Sequence, residues 1–276
     1  MATDWSALAD AVRAVPAEVG FWVRRLDTSE EWAADADRLF PAASTIKVPI
    51  LVQLFRRVEA GEVRLDDRLE LTDERKAVGS GVLKELDAGL RPTIKDLATL
   101  MIVVSDNTAT NLCIDAAGGL DAVNAAVRDL GLAQTRLRRY VVGRAADSAD
   151  GENATTAREL GTLLELIWRG RAARPESCRQ MLAILAKQQL RQRLPRLYPE
   201  AIQHHGKTGS IGHAEQDWFV RHDCSLGVAP GGLVFAAACL TRTRHGEDGD
   251  AVDRAVAAAG LGLLEALGIA RSGKGA

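Results

Sequence analysis

The order of two periodicities along the chain is the feature that most constrains its fold. Strand-type patterns lie at both ends, and apolar residues at three- and four-residue spacing fill the middle. The strands are predicted at 19–27, 31–40, 202–212, 217–229 and 233–240, and the helices at 44–60, 94–104, 107–117, 120–130, 156–169, 176–187 and 250–267. This order predicts an α+β fold, an α/β sandwich in which strands from both ends form one antiparallel sheet flanked by helices, with an all-helical domain inserted between them.

The same order predicts two domains. We assign residues 1–43 and 201–276 to a sheet domain built from both chain ends, and residues 44–200 to a mainly helical domain. Ligand sites favour the junctions between domains. The functional site is therefore expected in the cleft between the two.

Composition narrows the class of partner. Hydrophobic residues make up 47% of the chain and charged residues 26%, as in ordinary globular proteins. A formal net charge of -2 and the lack of a long basic run argue against nucleic acid. No apolar run approaches the roughly 20 residues that cross a bilayer. We expect a small-molecule substrate and neither a nucleic acid nor a membrane partner; the sequence leaves the oligomeric state open.

The cysteines and the N-terminus bear on the compartment. None of the four cysteines belongs to a C-x-x-C pair, and we expect all of them to be thiols: Cys113, Cys178, Cys224 and Cys239. The first twenty residues carry acids and an arginine where a secretory signal has a basic start and an apolar core. These features predict a cytoplasmic protein.

The stretch FPAASTIKVPI, at 40–50, places a lysine inside an apolar run. Only seven of the 35 basic residues are lysine, so a lysine at this position is informative. Residues three apart share a helix face, which brings the hydroxyl of Ser44 beside the amine of Lys47. Apolar surroundings lower the pKa of a lysine, and a neutral amine can activate a serine. The alternative is that Ser44 caps the helix and Lys47 extends its amine to solvent.

Two further polar motifs occur in other segments. SDN at 105–107 lies at the junction of two predicted helices, and KTGS at 207–210 lies on a late strand. Taken alone, the first is typical of a helix cap and the second of a polar turn. STIK, SDN and KTG in this order are similar to the signature of class A β-lactamases and penicillin-binding proteins.

The chain thus resembles the penicillin-recognising serine hydrolases, and most closely the class A β-lactamases, over about residues 19–267. The resemblance implies a β-lactamase/transpeptidase-like fold. It also implies an acyl-enzyme mechanism on a β-lactam or a related cyclic amide or ester. By position, Ser44 resembles the nucleophile, Lys47 its proton acceptor, Ser105 the serine that passes a proton to the leaving nitrogen, and Lys207 the cation that supports Ser105 and the substrate carboxylate.

The resemblance implies substrate-binding residues too. Asn107 matches the residue that holds the substrate amide, and Thr208 and Gly209 shape the strand edge along which the substrate lies. The backbone N–H groups of Ser44 and Ser210 match the pair that stabilises the developing oxyanion. Arg221, on the following strand, resembles an arginine beside the substrate carboxylate, with an exposed strand arginine as the alternative.

One departure from the family concerns the release of the acyl group. In TRLRRYVV, at 135–142, Val141 stands where the family carries the glutamate that activates water, and a valine cannot polarise water. Ala145 lies near the place of the usual asparagine, and Asn153 replaces an aspartate that pairs with the loop arginine. Three nearby acids are candidate substitutes or members of a solvated loop: Asp147, Asp150 and Glu152.

The connection at 211–220 is enlarged, so the position of Arg221 against the family is loosely determined. His213, Glu215 and Trp218 in this connection either reach over the cleft or serve the structure of a loop. His204 and His205 are adjacent on a strand and point to opposite faces, and no zinc-type spacing occurs. We expect neither a metal nor a cofactor.

Three functions fit these features. The first is a serine hydrolase that acylates on β-lactams and has weak or altered deacylation. The second is an esterase, amidase or acyltransferase on an intracellular substrate. The third is a non-catalytic protein that binds an acyl ligand, although such a protein has no need for the four catalytic-type side chains.

Overall fold

The computed structural model describes residues 3–141 and 151–269. Its strands are β1 (Glu18–Arg25), β2 (Glu31–Ala34), β3 (Phe40–Pro41), β4 (Ala154–Thr155), β5 (Gln203–His213), β6 (Trp218–Val228) and β7 (Val234–Thr243). Five of them form an antiparallel sheet in the order β2-β1-β7-β6-β5, and β3 pairs with β4. Strands from both chain ends therefore share one sheet, and the predicted fold class is confirmed.

The helices are α1 (Ser6–Arg13), α2 (Lys47–Glu59), α3 (Ile94–Val103), α4 (Asn107–Ala116), α5 (Gly119–Asp129), α6 (Ala157–Trp168), α7 (Pro175–Leu185) and α8 (Gly249–Ala266). Caps define several of their starts. Thr93 and Asp96 form a capping box at α3, and the side chains of Asp106, Thr156 and Asp248 cap α4, α6 and α8. The helices α2 to α7 lie between the two groups of strands in sequence, and the division into two domains remains a prediction.

The central strand β7 shows how the sheet divides the core. Its apolar run alternates between the two faces of the sheet, because successive side chains on a strand point to opposite sides. Phe235 and Cys239 pack with α1 and α8, whereas Ala236 and Leu240 belong to the larger core shared with the inserted helices. A strand buried on both faces reads as a continuous apolar run.

Three segments compare in detail with the predictions. The segment predicted as a strand at 31–40 is interrupted, because Asp35 adopts a left-handed φ of 44° and breaks the pairing after β2. The helix predicted from Ser44 opens as a 3₁₀ turn, Ala43–Ile46, before α2 begins. Residues 211–220, described from the sequence as an enlarged connection, lie mostly within the strands predicted at 202–212 and 217–229, and they continue the β5–β6 hairpin with Ile211 opposite Val220 and His213 opposite Trp218.

Candidate active site

Ser44 lies in the 3₁₀ turn directly before α2, half-buried at the edge of strand β5. The preceding residue, Ala43, has a left-handed φ of 45°, a conformation that costs energy in a non-glycine residue and is concentrated at functional sites. Gly209 of β5 packs against this turn: a Cβ on it would lie 3.1 Å from the backbone nitrogens of Ser44 and Thr45. The KTG strand and the serine turn are therefore in close backbone contact.

Lys47, the first residue of α2, is fully buried. Its Nζ donates to the backbone oxygen of Ser105 at 2.8 Å and lies 3.0 Å from both Ser105 Oγ and Asn107 Oδ1. Among the described residues, the hydroxyl of Ser44 is not one of its hydrogen-bond partners. The structure thus joins the STIK and SDN motifs through the amine of Lys47.

The surroundings of Lys47 favour a neutral amine. Burial lowers the pKa of Lys47 well below its ordinary value, and the positive charge of Lys207 lowers it further. The carboxylate of Asp106 opposes both effects. A neutral amine carries a lone pair and can accept a proton, as a general base must.

Ser105 is held at the junction of α3 and α4 in a strained conformation. Its φ is 57°, in the left-handed region, and its side chain is buried. The next residue, Asp106, caps α4 by accepting from the N–H of Ala109 at 2.8 Å. Its other oxygen accepts from the N–H groups of Val82 at 2.6 Å and Leu83 at 2.9 Å. The cap therefore also anchors the loop that passes in front of the site.

Two details show how closely this loop approaches. Gly81 has a φ of 107°, and a Cβ on it would lie 2.3 Å from the Asp106 carboxyl group, so a side chain does not fit there. Asn107 accepts from Lys47 and donates through Nδ2 to the backbone oxygen of Val78 at 2.9 Å. The amide of Asn107 is thereby oriented by one contact on each side.

Lys207 is the second fully buried lysine of the site. It lies on β5, opposite Cys224 of β6, and its Nζ donates to the backbone oxygen of Thr208 at 2.8 Å. Burial lowers the pKa of Lys207 to about 7; the acidic side chains of Cys224 and Asp223 oppose this shift, and the charge of Arg193 adds to it. Two buried amines with lowered pKa values in one cleft are typical of a functional site.

A cavity of about 80 Å³ connects these motifs. Its walls are Ala43, Ser44, Gly79, Ser80, Asn107, Arg139, Val141, Glu152, Asn153, Ser210 and Ile211. Of the predicted site residues, Ser44, Asn107 and Ser210 line the cavity directly. Lys47, Ser105 and Lys207 are buried next to the lining residues and do not line the cavity themselves. Thr208 and Gly209 lie on β5 between Lys207 and Ser210.

The structure places Arg193, which the sequence does not single out, beside the KTGS segment. Arg221 does not line this cavity among the described residues; its Nη1 pairs with Asp253 of α8 at 2.5 Å. Arg193 is fully buried beside the KTGS segment and donates to Ser210 Oγ at 2.6 Å and to the backbone oxygen of Gly209 at 3.1 Å. Its Nε pairs with Asp253 at 2.6 Å. Sequence patterns do not distinguish Arg193 from the neighbouring Arg191 and Arg196.

The opposite wall of the cavity contains the departure from the family. Val141 is held through its backbone by Asn111, which accepts from its N–H at 2.9 Å and donates to its carbonyl at 2.8 Å. The acids Asp147 and Asp150, and Ala145, lie outside the described residues. Glu152 is buried on this wall, and its Oε1 pairs with Arg139 Nη2 at 3.0 Å.

Asn153 stabilises the same segment. Its Oδ1 accepts from the backbone N–H groups of Arg138 at 2.7 Å and Arg139 at 3.1 Å. Asn111 therefore holds the backbone of Val141, and Asn153 holds the backbone just before it. The charge of Arg139 is paired with Glu152, and Asn153 contributes hydrogen bonds only.

Trp218 and His213 do not line this cavity among the described residues, although their cluster packs against two of its walls, Ala43 and Ile211. Trp218 is buried in a small cluster with Val220, and His213 packs beside it with ring centroids 5.9 Å apart.

Over 3–141 and 151–269, no group of three His, Cys, Asp or Glu side chains is arranged to hold a metal ion. Within the same ranges, no helix combines the length and apolar character of a bilayer span.

Comparison with known proteins gives the family. The model of the β-lactamase enzyme family matches residues 5–267. The chain belongs to the β-lactamase enzyme family. The resemblance inferred from the three motifs is therefore confirmed.

Individual members of the family cover this chain to different extents. A β-lactamase of Rhodobacter capsulatus is 30% identical over 210 residues, which are 74% of this chain and 64% of that protein. The match thus spans just under two thirds of the length of this curated relative. The crystal structure of a β-lactamase from Sphaerobacter thermophilus is 38% identical, with a TM-score of 0.89, over 98% of this chain and 100% of that one.

A third similar protein, PBP-A, is 28% identical with a TM-score of 0.84, over 95% of this chain and 96% of its own. PBP-A has also been solved as a point mutant in an acyl-enzyme complex with penicillin G.

Proposed function

We propose that the protein is a serine hydrolase that is acylated by β-lactams at Ser44 and releases the acyl group slowly. The observation that carries the proposal is the position of Lys47: a fully buried amine with a lowered pKa, 3.0 Å from Ser105 Oγ, behind a cavity that Ser44 lines. The β-lactamases among its relatives and the penicillin G acyl-enzyme of PBP-A support the choice of substrate.

The acylation step uses the described groups in order. The Ser44 oxygen attacks the lactam carbonyl carbon while the neutral Lys47 amine takes the hydroxyl proton; hydrogen bonds of this kind often tighten only when substrate binds. The backbone N–H groups of Ser44 and Ser210 stabilise the oxyanion, a contribution of about 2.7–4 kcal/mol per donor. The C–N bond then breaks as Ser105 passes a proton to the nitrogen, and Ser105 regains a proton from Lys47.

Substrate binding uses the remaining polar groups. Asn107 is oriented to hold the acyl amide, and the Lys207 cation attracts the carboxylate that β-lactams carry. Arg193 supports this end of the site through Ser210 and Gly209 and has no direct exposure to substrate. We propose Arg193 as a positioning residue; Arg221, predicted from the sequence to bind substrate, pairs with Asp253.

Hydrolysis of the acyl-enzyme is the step for which this chain lacks the family's usual residue. Hydrolysis of the acyl-enzyme needs a base that deprotonates water, and Val141 offers an apolar side chain at the family's position for that base. We therefore propose that acylation is competent and that deacylation limits turnover.

A time course by intact-protein mass spectrometry tests the proposal. Incubation with penicillin G should add the mass of the whole antibiotic within minutes and lose it over a much longer time. Ser44→Ala should remove the adduct, whereas Ser80→Ala, which changes another hydroxyl of the same cavity, should keep it. An unlabelled wild-type protein, or an adduct that persists in Ser44→Ala, would overturn the proposal; labelling by a fluorophosphonate alone would instead indicate an esterase or amidase.

A further inference from the structure

A second cavity adjoins the active-site cavity, and the reaction described above does not use it. Its volume is about 140 Å³, and the buried side chain of Glu152 lines both cavities. Large apolar side chains and two arginines make up most of the remaining lining: Leu39, Phe40, Pro41, Trp218, Arg138 and Arg242. This combination of apolar surface and positive charge is what an anion with an apolar body requires.

The two arginines are the groups that can bind an anion here. Arg242 of β7 lies opposite Glu18 of β1, but the carboxylate of Glu18 pairs with Arg38 at 2.7 Å. Arg138 donates from Nη1 to the backbone oxygen of Glu152 at 2.5 Å, which is a bond to a neutral group. In the described part of the chain, neither Arg138 nor Arg242 makes an ion pair. A guanidinium has five N–H donors, so both side chains keep donors for an incoming anion.

The apolar side chains of the lining can contact a ring. Trp218 and Phe40 are buried, and the guanidinium carbon of Arg242 lies 5.9 Å from the centre of the Trp218 ring. Leu39 is 49% exposed beside them, and a ligand in this cavity would cover part of its side chain. An apolar cavity of about 150 Å³ holds a benzene molecule. The volume of about 140 Å³ is therefore sufficient for one six-membered ring.

We propose that this cavity is a second ligand site, which binds a small aromatic carboxylate between Arg138 and Arg242. The ring of the ligand lies against Trp218 and Leu39. Its carboxylate accepts from the two guanidinium groups, whose planar arrangement of donors matches a carboxylate. The site does not include Ser44, so this inference is independent of the proposed function.

Arg138 connects the second site to the active-site cavity. Its backbone N–H donates to Asn153 Oδ1 at 2.7 Å, and its Nη1 donates to the backbone oxygen of Glu152. Both Asn153 and Glu152 line the active-site cavity. A ligand bound to Arg138 therefore contacts a residue that is hydrogen-bonded to two residues of the active-site lining.

A titration with benzoate, followed by NMR, tests the site. The protein has five tryptophans, so ¹⁵N labelling gives five indole N–H signals, and Trp218→Phe assigns the signal of Trp218. Benzoate should move the Trp218 signal until the site is saturated. Benzamide has the ring without the charge, and acetate has the charge without the ring. Both should bind at least about 10-fold more weakly than benzoate, because each lacks one half of the interaction.

Arginine variants test the two cations separately. Arg138→Gln and Arg242→Gln should each weaken benzoate binding by about 10–100-fold, the loss that corresponds to hydrogen bonds with a charged group. Arg244→Gln is the matched control, because Arg244 follows the same strand, has a side chain that is 80% exposed, and does not line this cavity. Its affinity for benzoate should equal that of the wild-type protein.

Several results would overturn the inference. A Trp218 signal that benzoate leaves in place shows that the cavity does not take the ligand. Equal binding of acetate, or of benzamide, shows that the ring, or the charge, is not recognised. These comparisons use the wild-type protein, so they decide even if an arginine variant does not fold.

The remaining alternative is that benzoate binds in the active-site cavity, where Lys207 is the expected cation. Lys207→Met distinguishes the two locations. Unchanged benzoate affinity in Lys207→Met, together with weakened binding in Arg242→Gln, supports the second site. The reverse pattern, with binding lost in Lys207→Met and kept in Arg242→Gln, overturns it.

Discussion

The two walls of the cavity differ in how they carry charge. On the wall formed by the serine turn and the α3–α4 junction, the amine of Lys47 is buried among oxygen acceptors and has no carboxylate bonded to it. On the wall formed by 139–141 and 152–153, the carboxylate of Glu152 is bonded to Arg139, and the side chain at 141 is apolar.

The difference separates the two halves of an acyl-transfer reaction. A buried amine without a bound counter-ion has a lowered pKa and can act as a base, whereas the carboxylate of Glu152 is engaged in an ion pair with Arg139. The first wall therefore retains what acylation needs. The second wall contains the ion pair between Arg139 and Glu152, and its residue 141 is a valine, which cannot activate water.

The largest expected effect removes the base from the first wall. Lys47→Met should reduce the second-order rate of acylation by penicillin G by about 10²–10⁴-fold, the usual contribution of a general base. In the wild-type protein this rate should fall as the pH is lowered through the pKa of Lys47, because only the neutral amine accepts the proton. Mass spectrometry of adduct formation measures both, and Lys95→Met, on the exposed side of α3, is the control. A near-normal rate in Lys47→Met would show that Lys47 is not the base of acylation.

An intermediate effect adds a base to the second wall. Val141→Glu should accelerate loss of the acyl group by about 10²-fold, at the lower end of the contribution of a general base. The backbone of residue 141 is already held by Asn111, which favours a fixed side-chain direction. Val141→Gln has a similar size without the charge and should leave the rate of adduct loss unchanged. Equal rates in the two variants would mean that the missing carboxylate is not what limits release.

The smallest expected effect breaks the ion pair of the second wall. Glu152→Gln should lower the free energy of unfolding by about 1–3 kcal/mol, since the buried side chain at 152 would lose its charge-assisted bond to Arg139. Acylation should change little, because Glu152 lies on the other wall. Urea unfolding measures the stability, and Glu200→Gln at an exposed position serves for comparison. Intact stability together with a lost acylation rate would contradict the structural role assigned to Glu152.

The long amphipathic elements were predictable from sequence because their signals are local. The helix predicted at 250–267 is observed as α8, since Asp248 provides a cap and the apolar residues repeat at helical spacing. The strand predicted at 233–240 is the core of β7, where a fully apolar run is buried on both faces. The three motifs were identified from sequence. In the structure each of these segments contributes a residue to the lining of one cavity: Ser44, Asn107 and Ser210.

The features that sequence did not predict depend on distant contacts. Arg193 is defined by bonds to Gly209, Ser210, His222 and Asp253, between 16 and 60 residues away, and no local pattern reports them. The 211–220 segment lies mostly within the strands predicted at 202–212 and 217–229, but no local pattern shows that their register continues the hairpin through His213 and Trp218. Helix α1 has a short amphipathic pattern and is stabilised by packing against α8.

The carboxylate of Asp106 joins two segments that are distant in sequence. It binds the first turn of α4 and the backbone at 82–83, and Ser105, directly before it, is in a left-handed conformation. A bulky ligand that pushes the 77–83 loop outward must stretch the same bonds that fix Ser105 beside Lys47. The cavity therefore cannot widen on the side of this loop without displacing Ser105, the proton donor. We expect large acyl substituents to lie on the side of Ser210 and Ile211.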